Sequence, residues 1–114
     1  MQQQIKLMAD YDCWALWWAG DHEPGNIDPA TLPLSAETVA RLNQWSDAFD
    51  ATLNRADPAV SGFATEQARN EFEQAGIMLW QQLRQELPPD YTVLYYSLQR
   101  RATFVHPEEL TEAA

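Results

Sequence analysis

Two apolar stripes at helical spacing follow one another through the middle of this 114-residue chain, and they leave few folds open. In the first, Val39, Leu42, Trp45, Phe49 and Leu53 recur every three or four residues and share one face of a helix predicted over about Ser35 to Asn54. Ser35 can cap its first turn through the hydroxyl, and Glu37 sits near the positive end of the helix dipole. Asn43, Asp47, Asp50 and Asn54 form a polar stripe beside the apolar one, with Arg41, Gln44 and Arg55 on the other flank. Asp57-Pro58 and Ser61-Gly62 break the periodicity and make a turn. The second helix is predicted from about Thr65, its cap, to Leu87, with Glu66 in the first turn. Ala68, Phe72, Ala75, Leu79, Leu83 and Leu87 make its buried stripe, widened on one side by Ile77 and Trp80, and Pro88-Pro89 stops it. Two helices joined by so short a link pack as an antiparallel pair.

The flanks read as strands. Ile5, Leu7 and Ala9 alternate with Lys6, Met8 and Asp10, giving a short strand with one better-buried face that Tyr11 continues. Tyr91 to Leu98 is rich in β-branched and aromatic residues, with apolar groups in both alternating sets, as in a strand covered on both faces. Thr103-Phe104-Val105 extends that strand or adds a short third one. Between the first strand and the first helix, Cys13-Trp-Ala-Leu-Trp-Trp18 is too short and too aromatic to assign. Packed indoles are the simplest reading, and an indole of Trp17 or Trp18 left near the surface would make a partner anchor. Residues 19–34 read as a loop punctuated by Gly20, Pro24, Gly25, Pro29 and Pro33 and pinned by Ile27, Leu32 and Leu34. The expectation is one α+β domain over residues 1–114. In it an antiparallel helical pair packs on a small two- to three-stranded antiparallel sheet, in the order strand, long loop, helix, helix, strand. Residues 107–114, from Pro107 through Glu108, Glu109 and Glu112, read as a flexible tail or a frayed final turn.

Composition narrows the function classes. Seven Lys and Arg against seventeen Asp and Glu give a net charge of −10. Such a chain repels nucleic acid and anionic membranes, which need a basic footprint, and attracts a basic protein; the plainer consequence of the charge is solubility. The one cysteine, Cys13, cannot form an internal disulfide, which suits a reducing compartment. The N-terminal residues lack a basic segment followed by an apolar run, so no signal peptide is expected and cytoplasm is the default.

Catalytic chemistry finds little purchase. His22 lies between Asp21 and Glu23, but adjacent loop residues seldom converge on one point, and His106 is far along the chain, so neither a metal nor a cofactor is expected. Asp12 and Trp14 beside Cys13 would raise rather than lower its pKa. Ser61-Gly62-Phe63 lacks the pattern of a nucleophile elbow. A general acid would need Asp10 or Asp12 enclosed beside the tryptophans. What remains is surface. Asp10 and Asp12 at the strand end, Asp21, Glu23 and Asp28 on the loop, and Asp47 and Asp50 on the first helix could converge beside Trp17 and Trp18, where charge steers a basic partner and an indole anchors it. Ordinary solvated acids are the rival reading. A small acidic secretion chaperone or adaptor, dimeric through Ile77 and Trp80, is the second functional reading, and an enzyme with a carboxylate site the third.

Several phrases carry a resemblance: Met8-Ala-Asp-Tyr11, Leu16-Trp17, Gly25-Asn-Ile-Asp-Pro-Ala-Thr-Leu-Pro-Leu-Ser35, Trp45-x-Asp47-x-x-Asp50-Ala-Thr-Leu-Asn54, Asp57-Pro58 and Ser61-Gly-Phe63. Through them roughly the first half of the chain resembles small acidic bacterial immunity proteins of polymorphic-toxin and contact-dependent inhibition systems. The resemblance implies a non-enzymatic protein that binds a cognate toxin domain and occludes its active site; a monomer or weak homodimer is expected. The contact surface expected from the acidic and aromatic features is Asp10, Asp12, Trp17, Trp18, Asp21, Glu23, Asp28, Asp47 and Asp50.

Overall fold

A computed structural model describes residues 3–20, 25–53, 56 and 62–111. Its elements are β1 (Gln3–Leu7), β2 (Leu16–Ala19), β3 (Gly25–Ile27), a 3-10 turn (Pro29–Thr31), α1 (Ala36–Asp50), α2 (Glu66–Glu86), β4 (Tyr91–Ser97), β5 (Ala102–Phe104) and the short α3 (Glu108–Thr111). Both long helices begin where their caps require: the Ser35 hydroxyl accepts from the Thr38 amide, and the Thr65 hydroxyl accepts from the Ala68 amide.

The fold is α+β, as expected, but the sheet is larger and mixed. Among the described residues it has five strands in the order β3-β2-β1-β4-β5. The tryptophan segment is itself a strand: β2 pairs antiparallel with β1, Ile5 opposite Trp18 and Leu7 opposite Leu16. Part of the supposed long loop is β3, with Ile27 opposite Leu16. The first and last long strands are neighbours but run parallel, with Ile5 beside Val93 and Leu7 beside Tyr95, which overturns the antiparallel expectation. The cause is in residues 28–35. Two reversals, β1 to β2 to β3, leave β3 running with β1; the segment through the 3-10 turn then carries the chain back along the sheet before α1 begins. Ser35, at the start of α1, bonds to Glu86 at the end of α2 through its amide at 2.7 Å. β4 therefore starts beside the start of β1, where the Gln3 amide donates to the Asp90 carbonyl at 2.7 Å.

The core lies between one sheet face and the helical pair. Ile5, Leu7, Leu16, Leu42, Trp80 and Leu83 are fully buried in it. Trp45 stacks on Phe72 with ring centroids 4.4 Å apart, and Trp80 on Tyr95 at 5.3 Å. Trp80 also donates its indole N–H to the Val93 carbonyl at 2.8 Å. It is a core residue that joins α2 to β4, and the dimer contact expected of it is ruled out by its burial. β4 is sealed on one face only: Val93, Tyr95 and Ser97 are buried, whereas Thr92, Leu94 and Tyr96 are half-buried, contrary to the expectation of cover on both faces. The residues beyond Pro107, read as a tail or a frayed final turn, include the one-turn α3, and Pro107 is itself buried.

Candidate functional site: an acidic cleft at one end of the sheet

The segment that joins β1 to β2 turns at Asp12, whose φ of 59° lies in the left-handed region that aspartate tolerates better than most residues. It is fastened on both sides. The Asp12 amide donates to Asp50 Oδ1 at 2.9 Å, tying the turn to the last turn of α1. The Tyr11 ring stacks on Phe49 with centroids 4.5 Å apart. On the other side Asn26 of β3 clasps the chain: its Oδ1 accepts from the Trp14 amide at 2.8 Å, and its Nδ2 donates to the Trp14 and Leu16 carbonyls at 2.8 and 2.9 Å.

This bracing opens a cleft of about 450 Å³ between the turn and α1. Asp12, Cys13 and Trp14 line it from the turn, Asn26 from β3, and Asn43, Ser46, Asp47 and Asp50 from α1. The four α1 residues follow the spacing of a single helix face. Ser46 is 7% exposed, and its hydroxyl has no hydrogen-bond partner among the described residues. Trp14 is 45% exposed at the rim. Burial pushes the Cys13 thiol above its ordinary value of 9.0, and the charges of Asp10, Asp12 and Asp50 push it further the same way. The thiol stays protonated and is a poor nucleophile. Among the described residues no three His, Cys, Asp or Glu side chains are arranged to hold a metal ion. A second concavity of about 590 Å³ lies between α1 and α2, lined largely by apolar groups including Trp45, Phe63, Phe72 and Leu79.

Of the nine expected contact residues, Asp12, Asp47 and Asp50 meet in the acidic cleft. Asp10 lies beside it, exposed, accepting from the Tyr11 amide at 2.8 Å. Asp28 caps the 3-10 turn by accepting from the Ala30 amide at 3.0 Å, a structural task away from the cleft. Trp17 and Trp18 are half-buried. The first donates its indole N–H to the Met8 carbonyl at 3.0 Å, and the second packs against the core. Asp21 and Glu23 lie outside the described residues, as does His22. Asp10 and Asp12 are both exposed rather than enclosed, which removes the geometry that a general acid there would need. The most exposed indole, Trp14, was not singled out in the sequence, nor were Ser46 and Asn26. The helical spacing from Asn43 to Asp47 and Asp50 passes through position 46 and was the one available signal for the serine.

No helix among the described residues is long and apolar enough to cross a membrane. No curated protein matches the sequence closely enough to count as a relative. A family model described as Serratia CdiI immunity protein-like matches residues 3–98, a span that holds β1 to β4, both long helices and every residue of the cleft. The chain thus belongs to the Serratia CdiI immunity protein-like family.

Proposed function

We propose that this protein is a cytoplasmic, non-enzymatic immunity protein that neutralises a cognate toxin domain by binding it and covering its active site. Membership of the immunity family carries the reading. The net charge of −10 and the carboxylates at the mouth of the cleft support the nature of the partner: a basic surface, of the kind that would otherwise hold the toxin's substrate. The contact surface centres on Asp12, Asp47 and Asp50 with Asp10 beside them. Trp14 takes the anchor role first considered for Trp17 and Trp18.

Affinity capture of the tagged chain from its own cells, read by mass spectrometry and followed by co-expression of the captured domain, tests this. The expected result is a stoichiometric basic protein that arrests growth when expressed alone and is harmless when expressed with this chain. A captured protein whose expression is harmless, or whose toxicity this chain does not relieve, would overturn the proposal.

A further inference from the structure

Resting on the immunity reading, we propose that the acidic cleft seats a single arginine side chain of the toxin. A buried hydroxyl without a partner is uncommon in native proteins, because it gives up its water and gains nothing in return. Among the described residues Ser46 Oγ is in this position, on the face of α1 that lines the cleft. A bound group that donates a hydrogen bond there would supply a partner that none of the described residues provides. Around the same cavity stand the carboxylates of Asp47 and Asp50, which can only accept. One Asp50 oxygen is engaged by the Asp12 amide. The Asn26 amide is committed at both ends to the Trp14 and Leu16 backbone, so it offers no free donor to an anion. No lysine or arginine is among the described residues that line the cleft. The ligand chemistry that fits is therefore cationic and rich in donors.

Trp14 separates arginine from lysine. It lines the cleft and is among the exposed large apolar residues. A planar guanidinium can lie against an indole face while its fork of N–H groups reaches two carboxylates and a hydroxyl, which a compact ammonium cannot do at once. The volume of about 450 Å³ lies within the usual range of sites that enclose a small group.

The test is an NMR titration of the full chain with N-acetyl-L-arginine amide, its lysine counterpart and the neutral citrulline isostere. Saturable shifts are expected at the amides of Asp12 to Trp14 and Asn43 to Asp50 and at the Trp14 indole, with arginine ahead of lysine and citrulline weaker by roughly tenfold. Ser46→Ala should fold with an unchanged or higher thermal midpoint yet bind arginine amide roughly three- to tenfold more weakly. The double variant Asp47→Asn/Asp50→Asn should abolish saturation. Equal binding of citrulline, shifts elsewhere, no saturable shift at all, or a Ser46→Ala protein less stable than its parent would each overturn the proposal. Growth protection by the unaltered chain separates the two claims. Protection without arginine binding defeats only the arginine seat, whereas arginine binding without protection keeps the cationic site and defeats the immunity reading.

Discussion

At the scale of single residues, the boldest placement outside the cleft is Glu73. It is 6% exposed, and its carboxylate accepts from the hydroxyls of both Tyr95 and Ser97. Ser97 Oγ in turn accepts from the Arg100 amide at 3.0 Å, so the carboxylate organises the turn that leads to β5. Glu73→Ala would leave two buried hydroxyls facing a void. We expect a loss of about 3 kcal/mol, read from urea unfolding. Burial, then the bond to Glu73 and its charge, hold the Tyr95 phenol well above its ordinary value of 10.0. A phenol whose pKa is raised by folding stabilises the protein fully below the unfolded value, so stability should decline as pH rises past about 10. Tyr95→Phe should flatten that decline. For Cys13 the sign is equally definite: Asp12→Asn or Asp50→Asn removes a negative neighbour and lowers the thiol pKa. Alkylation by iodoacetamide at about pH 8 should therefore be faster in either variant than in the parent.

Between elements, one close approach is made where α2 carries no side chain at all. A Cβ on Gly76 would lie 2.7 Å from the Tyr95 hydroxyl and 2.8 Å from Trp45 Cζ2, so this glycine lets α2 approach both α1 and β4. Alanine is the better helix former by about 1 kcal/mol, but both neighbours are buried and held by their own contacts. Gly76→Ala should still destabilise the fold, by about 1–2 kcal/mol net in thermal or urea unfolding. At the other end of the helical pair Glu86 bridges α2 to the start of α1. Burial alone would raise its pKa, yet hydrogen bonds from the Ser35 amide, Thr38, Gln82 and the Ser35 hydroxyl outweigh it and bring it down from 4.5 to about 2. That contribution to stability is present above the unfolded value and is lost as pH falls from 4.5 toward 2. Glu86→Gln should remove this part of the acid sensitivity in a pH series of unfolding midpoints. Both helices and their caps were legible in the sequence, because a 3.6-residue period sustained over fifteen residues or more has no competing explanation. β2 and β3 were not, since four and three residues are too few to show a period and their pairing is decided by distant partners. The direction of β4 depended on a proline-rich segment whose path only packing determines. The cleft was half legible: its acidic stripe shows in the spacing of α1, but nothing in a run of tryptophans tells which indole remains in solvent.

Over the whole molecule, charge and topology set the behaviour. The net charge of −10 should speed encounter with a basic partner, and the two α1 carboxylates should carry a disproportionate share if the cleft they line is the contact proposed above. Asp47→Lys/Asp50→Lys should lower the association rate by about tenfold or more at low salt and flatten its dependence on ionic strength, as measured by stopped-flow mixing with the captured toxin domain. An unchanged rate would remove α1 from the interface. The parallel pairing of β1 with β4 has a temporal consequence as well. Ile5 lies beside Val93 at the centre of the sheet, so the middle of the structure joins two stretches that are far apart along the chain. Until β4 emerges, β1 has no neighbour on that side, and the Leu7 and Ile5 side chains lack the strand against which they bury. Such distant closure makes for slow, all-or-none folding. A newly made copy should therefore be unable to complete this sheet, and the core beneath it, until Tyr91–Ser97 have been made.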